Sequence, residues 1–111
     1  MRVAAVVADL ITFSRIEAAA SAAGASLLRV DAPSALPAGM AVDIVLVDWS
    51  AREAEWAETL AAWRNGRSLR VVLFGPHTDL EAHAAARATG LGPMWARSKL
   101  IRELPGLFAG P

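Results

Sequence analysis

Two aspartates raise the question of chemistry in this chain. Asp9 closes the apolar run Val3–Ala8, and Asp48 closes the run Ile44–Val47. A carboxylate at the end of a buried strand has two ordinary uses. It caps the turn or helix that follows, or it joins a second carboxylate in holding a hard cation. Magnesium wants octahedral oxygen ligands and keeps several waters, so two strand-end acids could form a weak Mg²⁺ site. Spacing alone leaves both uses open. His77 follows Gly75-Pro76 after a fourth apolar run, and Arg97 and Lys99 follow Met94–Ala96. Together with Trp49, beside Asp48, these residues would line one pocket, in which Gly75 leaves room. Trp49 would serve as a lid, as a partner contact or as packing for its loop. No GxGxxG or GxxxxGK(S/T) phosphate loop occurs, so nucleotide binding of the usual kinds has no support.

These residues reach one another only if the right elements carry them. Val3–Ala8, Ser26–Val30, Ile44–Val47 and Val71–Phe74 are short and rich in Val, Ile and Leu, and Met94–Ala96 is a weaker fifth run. Continuous apolar runs of this length read as parallel strands buried on both faces. Between them lie stretches of helical spacing. Phe13, Ile16, Ala20 and Ala23 share a face, as do Trp56, Leu60 and Trp63, and as do Leu80, Ala84 and Ala88. Ser50–Glu53 and Thr78–Glu81 fit the capping-box pattern at helix starts. The two prolines and the glycine of residues 32–40 leave room for one helical turn at most. A last helix, from about Ser98 to Phe108, contains Pro105, which is expected to kink or split it. Strands that alternate with helices through short loops predict an α/β parallel sheet. In the flavodoxin-like order 2-1-3-4-5, ligands gather at the carboxyl ends of the strands, and the strands bearing Asp9 and Asp48 are neighbours.

The bulk properties narrow the function classes. A length of 111 residues suits one domain, taken as residues 1–111, and 55% of them are hydrophobic. Formal net charge is zero, which offers no basic face for nucleic acid. Cysteine is absent, which removes disulfides, thiol catalysis and Cys-ligated zinc. The apolar start is too short to span a membrane and lacks the features of a signal peptide, so a cytoplasmic protein is expected.

The segments also carry a family resemblance. Asp43-Ile44-Val45-Leu46-Val47-Asp48 resembles the third strand of the receiver domains of bacterial response regulators, which ends on the phosphoacceptor aspartate. Val6-Val7-Ala8-Asp9 with Arg15-Ile16 resembles the first strand and helix. Arg70–Pro76 resembles the fourth strand, and Ala88-Thr89-Gly90-Leu91 resembles the turn before the fifth. The resemblance implies a receiver-like fold with a reduced second helix, Asp48 at the acceptor position and protein partners in a two-component system, either a histidine kinase or a downstream protein. Its contact surface would be the fourth helix, fifth strand and fifth helix, with Met94 and Trp95 at the interface, and that face could also join two copies as a homodimer.

Departures from the family pattern matter for function. Ala8 stands where the first of two adjacent acids is expected, Gly75 where a Thr or Ser is expected, and Arg97-Ser98 where Lys-Pro is expected. Met94 takes the aromatic switch position. Three functions follow. The first is an atypical, non-enzymatic signalling domain that works by protein contact without normal phosphorylation switching. The second is a working phosphoacceptor on Asp48. The third is a small ligand-binding or enzymatic module built on Asp9, Asp48 and His77.

Overall fold

The computed structural model describes residues 1–109. Five parallel strands form one sheet: β1 (Arg2–Val6), β2 (Ser26–Val30), β3 (Ile44–Asp48), β4 (Arg70–Gly75) and β5 (Met94–Ala96). Their order is β2-β1-β3-β4-β5, the flavodoxin-like order expected from the alternation of runs. Helices α1 (Leu10–Ala22), α2 (Trp56–Arg64), α3 (Leu80–Thr89) and α4 (Arg97–Phe108) connect or follow the strands. The proline-rich segment holds a single 3₁₀ turn, Pro33–Ala35, as its composition requires. No helix among the described residues is long and apolar enough to cross a membrane.

The middle of the sheet is buried on both faces because β1, β3 and β4 are apolar along their interior positions. All five residues of β3 are buried. Side chains alternate across the sheet with a period of two. Val3, Ala5 and Val7 therefore pack on one side with Leu46, Phe74 and the inner residues of α1 and α4. Ala4 and Val6 pack on the other with Val45, Val47 and Leu73 against α2 and α3. Alanines at the middle of β1, both 0% exposed, let the helices approach the sheet closely.

Five local expectations are corrected. Residues 50–53 do not start a helix: Trp49–Ala51 form a 3₁₀ turn, and α2 begins only at Trp56. The hydroxyl of Ser50 bonds Asp48 instead of capping a helix. At α3 the cap is Asp79 rather than Thr78, its carboxylate accepting from the Ala82 N–H at 3.0 Å. The buried face of α3 carries Ala82 and Ala86, whereas Leu80, Ala84 and Ala88 are exposed. Five of the ten residues of α3 are alanine, so several stripes of helical spacing exist and periodicity cannot choose among them. On α1, Ala23 is exposed and Thr12 is buried. Finally, α4 runs unbroken through Pro105. Leu100, Leu104 and Phe108 pack it against the core, while Pro105 itself is exposed. Packing of this face outweighs the hydrogen bond that the proline cannot donate.

Candidate functional site

Asp48 lies at the carboxyl end of β3 and is only 6% exposed. Its backbone leaves the strand and enters the 3₁₀ turn, so the carboxylate folds back over the turn it caps. Oδ1 accepts the Ser50 hydroxyl at 2.6 Å and the Ser50 N–H at 3.2 Å. Oδ2 faces the Arg97 guanidinium at 3.7 Å. Arg97 is the first residue of α4, so the β5–α4 junction brings a cation to Asp48. The Arg97 Nε is buried and has no hydrogen-bond partner among the described residues.

Asp9 is engaged in a different task. It is the N-cap of α1: Oδ1 accepts the Ile11 N–H at 3.2 Å, and Oδ2 accepts the Thr12 hydroxyl at 2.6 Å. The Thr12 hydroxyl, then the Ile11 N–H, with a smaller contribution from the Arg97 charge, hold this carboxyl below its ordinary range. All four carboxylate oxygens of Asp9 and Asp48 thus have protein partners. Ala8 is exposed beside Asp9 and contributes no oxygen. No group of three acidic or histidine side chains suited to a metal occurs among the described residues.

Gly75 ends β4 next to this site, and packing explains the glycine. Its backbone is not in the left-handed region, so conformation alone would admit any residue. A Cβ there would lie 3.2 Å from the Met94 sulfur and 3.4 Å from the Ser50 Cβ. The approach to Met94 is tighter than ordinary contact, and that to Ser50 lies at its lower edge. The room expected at Gly75 is therefore filled by Met94, which is 5% exposed and belongs to the core. The strand alternation turns Met94 inward, which does not suit the interface position that the family resemblance implies for it.

The other expected pocket residues separate. Trp49 is 2% exposed and packs in the core, so it does not stand over the site as a lid. Its ring forms the floor of a groove of about 600 Å³ whose rim carries Arg52, Glu53, Asp79 and Glu81. His77 is exposed in its turn, and no hydrogen bond or ion pair joins it to Asp9 or Asp48 among the described residues. Lys99 points away from Asp48 and sets its ammonium 4.7 Å from the centre of the Trp95 ring. The expected interface residue Trp95 is half-buried on the edge strand, with the Arg70 guanidinium also over its ring at 5.6 Å.

Ser50, Thr12 and Arg70 were not singled out by sequence as site residues. A serine two residues after an aspartate is a recognisable turn pattern, so Ser50 had a usable signal. Arg70 had none, because its approach to Trp95 depends on how the strands pair.

No protein-family model matches the chain, and no curated protein registers as similar to it. Solved structures do. The chain superimposes on a response regulator from Hahella chejuensis with a TM-score of 0.74 at 15% identity, covering 97% of this chain and 92% of that one. It also superimposes on a response regulator from Thermotoga maritima with a TM-score of 0.68 at 16% identity, covering 98% of each. The chain has the fold of a response-regulator receiver domain across nearly its whole length.

Proposed function

We propose that this chain is a receiver-fold signalling domain that works through contact with other proteins and does not switch by phosphorylation of Asp48. The packing at Gly75 carries the reading. A phosphoryl group on a carboxylate needs donors placed where its charge develops. The position that would offer a hydroxyl offers no side chain, and the Met94 thioether occupies the adjacent space. Support also comes from the carboxylates. Asp48 is tied to Ser50 and Arg97, and Asp9 to the cap of α1. The donor set is a poor fit to Mg²⁺, because two engaged carboxylates without a third acid would have to give up protein partners to bind it.

A second reading, phosphorylation of Asp48, is favoured by one observation. Arg97 brings a positive charge to Oδ2, as the lysine of the family resemblance would. Arginine spreads that charge over a planar fork and does not replace a lysine point charge directly.

The deciding experiment is incubation with acetyl phosphate and millimolar Mg²⁺, followed by intact mass. The unmodified mass is expected. A stoichiometric phosphoryl adduct that disappears in Asp48→Asn would establish the second reading instead.

A further inference from the structure

Around Trp95, the free side of the sheet shows a feature that the Asp48 site does not use. β5 is an edge strand and pairs only with β4. Trp95 sits at its middle, half-buried, between two hollows. One, of about 350 Å³, is lined by Arg64, Leu69, Leu91 and Pro93. The other, of about 400 Å³, is lined by Lys99, Glu103, Gly106 and Leu107. Arg70 and Trp95 border both. The hollows therefore form a groove along the strand edge with the indole as its midpoint.

The groove is positively charged in a chain whose formal net charge is zero. Arg64, Arg70 and Lys99 face a single acid, Glu103. Arg70 and Lys99 are exposed, both stand over the indole, and neither has a carboxylate partner among the described residues. Other acids of the chain, Glu53, Asp79 and Glu81, rim the groove beside α3. Two cations held over one ring at an open strand edge are preorganised to receive carboxylates.

We infer that the β5 edge docks an extended acidic segment of a protein partner, with carboxylates on Arg70 and Lys99 and small apolar side chains in the hollows flanking Trp95. The inference rests on the reading that the domain works by protein contact, and it names the partner's chemistry. An extended segment adds to an exposed sheet edge through main-chain hydrogen bonds, and its side chains supply specificity. A symmetric second copy is disfavoured, because pairing this edge with itself would set Arg70 and Lys99 of both copies together. Nucleic acid is disfavoured because its affinity comes from many phosphate contacts, and the formal net charge of zero leaves no broad basic face to make them.

The probe is a fluorescein-labelled peptide of alternating glutamate and valine, titrated by anisotropy at low salt against the intact chain. Saturable binding is expected. The charge reversals Arg70→Glu and Lys99→Glu should each weaken it about tenfold or more. Arg52→Glu, in the other groove, should leave it unchanged. The Trp95 indole N–H resonance should shift on binding, assigned by its loss in Trp95→Phe. A lysine–valine peptide should not bind. Melts by circular dichroism confirm that the reversal variants remain folded. The inference is overturned by binding that survives both reversals, by equal binding of single-stranded DNA, by concentration-dependent self-association through this face, or by no binding below millimolar peptide. None of these results bears on phosphorylation, which the intact-mass measurement reads separately.

Discussion

Asp48 and Trp95 lie on neighbouring parts of the same sheet, yet their surroundings have opposite character. At the end of β3, both oxygens of the Asp48 carboxylate already have a protein partner, and the space beside Gly75 is filled. At the β5 edge, two cations stand over a half-buried indole without carboxylate partners among the described residues. The Asp48 carboxylate is fully engaged, although the Arg97 Nε beside it has no partner, whereas the two cations at the edge have no acid among the described residues. A buried polar site that is fully paired contributes to one rigid arrangement. An exposed cationic edge is satisfied by water and gives that water up to a partner at little cost. The same sheet thus holds the Asp48 site closed while leaving an edge available.

The contrast can be broken first at the tryptophans. Trp49→Ala removes a core ring that is 2% exposed and should cost about 3–5 kcal/mol in urea unfolding. Trp95→Ala should cost about 1 kcal/mol, since it loses partial burial and cation–π contacts. Equal losses would show that Trp95 is structural and that the edge is not a reserved surface.

The packed state of the Asp48 site is tested at Gly75. Gly75→Thr should destabilise the fold by about 1–3 kcal/mol through overpacking against Met94 and Ser50. In a Met94→Ala background the same change should cost much less, and the difference is the coupling between the two positions. Identical costs in the two backgrounds would mean that Met94 does not occupy the space.

A smaller effect is expected from the ion pair. Arg97→Ala leaves Asp48 buried beside Ser50 without its cation. The pair is 3.7 Å long and the arginine side chain is 39% exposed, so solvent screening limits the loss to about 1 kcal/mol. Arg97→Ala in an Asp48→Asn background should cost less. Thermal melts of the four chains close that cycle.

The smallest effect is a pH dependence from Asp9. Its carboxyl titrates below the ordinary value of 3.8 in the folded chain because Thr12 and Ile11 donate to the ionised form. A folded-state value below the unfolded one stabilises the fold above the unfolded value, and the stabilisation is lost as pH falls through the folded value. Wild type should therefore lose more stability than Asp9→Asn when the pH is taken from neutral to below 3.8. Parallel curves for the two chains would remove Asp9 as a working cap.

The fold was legible because its signal is one-dimensional. Ser26–Val30 and Met94–Ala96 are strands as expected, and β1, β3 and β4 differ from the expected runs only at their ends. Continuous Val, Ile and Leu runs separated by helical stretches leave few topologies. The helix starts were less legible. Ser50 can cap a helix or bond Asp48, and both uses have the same local pattern until the turn geometry selects one. The site was the least legible part. Gly75 looked like vacant space because a glycine has no side chain, although its neighbours decide whether the space exists. Lys99 and Arg97 are two residues apart, and only the path into α4 shows that Arg97 faces Asp48 while Lys99 covers Trp95.

Residue type and local period were enough to fix the sheet, the position of Asp48 at a strand end and the absence of a side chain at residue 75. Tertiary structure alone decided that Met94 fills the space at Gly75, that Trp49 lies in the core, and that Arg70 and Lys99 meet over Trp95. Those contacts join segments far apart in the chain, and their geometry follows from strand register and helix packing, which no local pattern encodes.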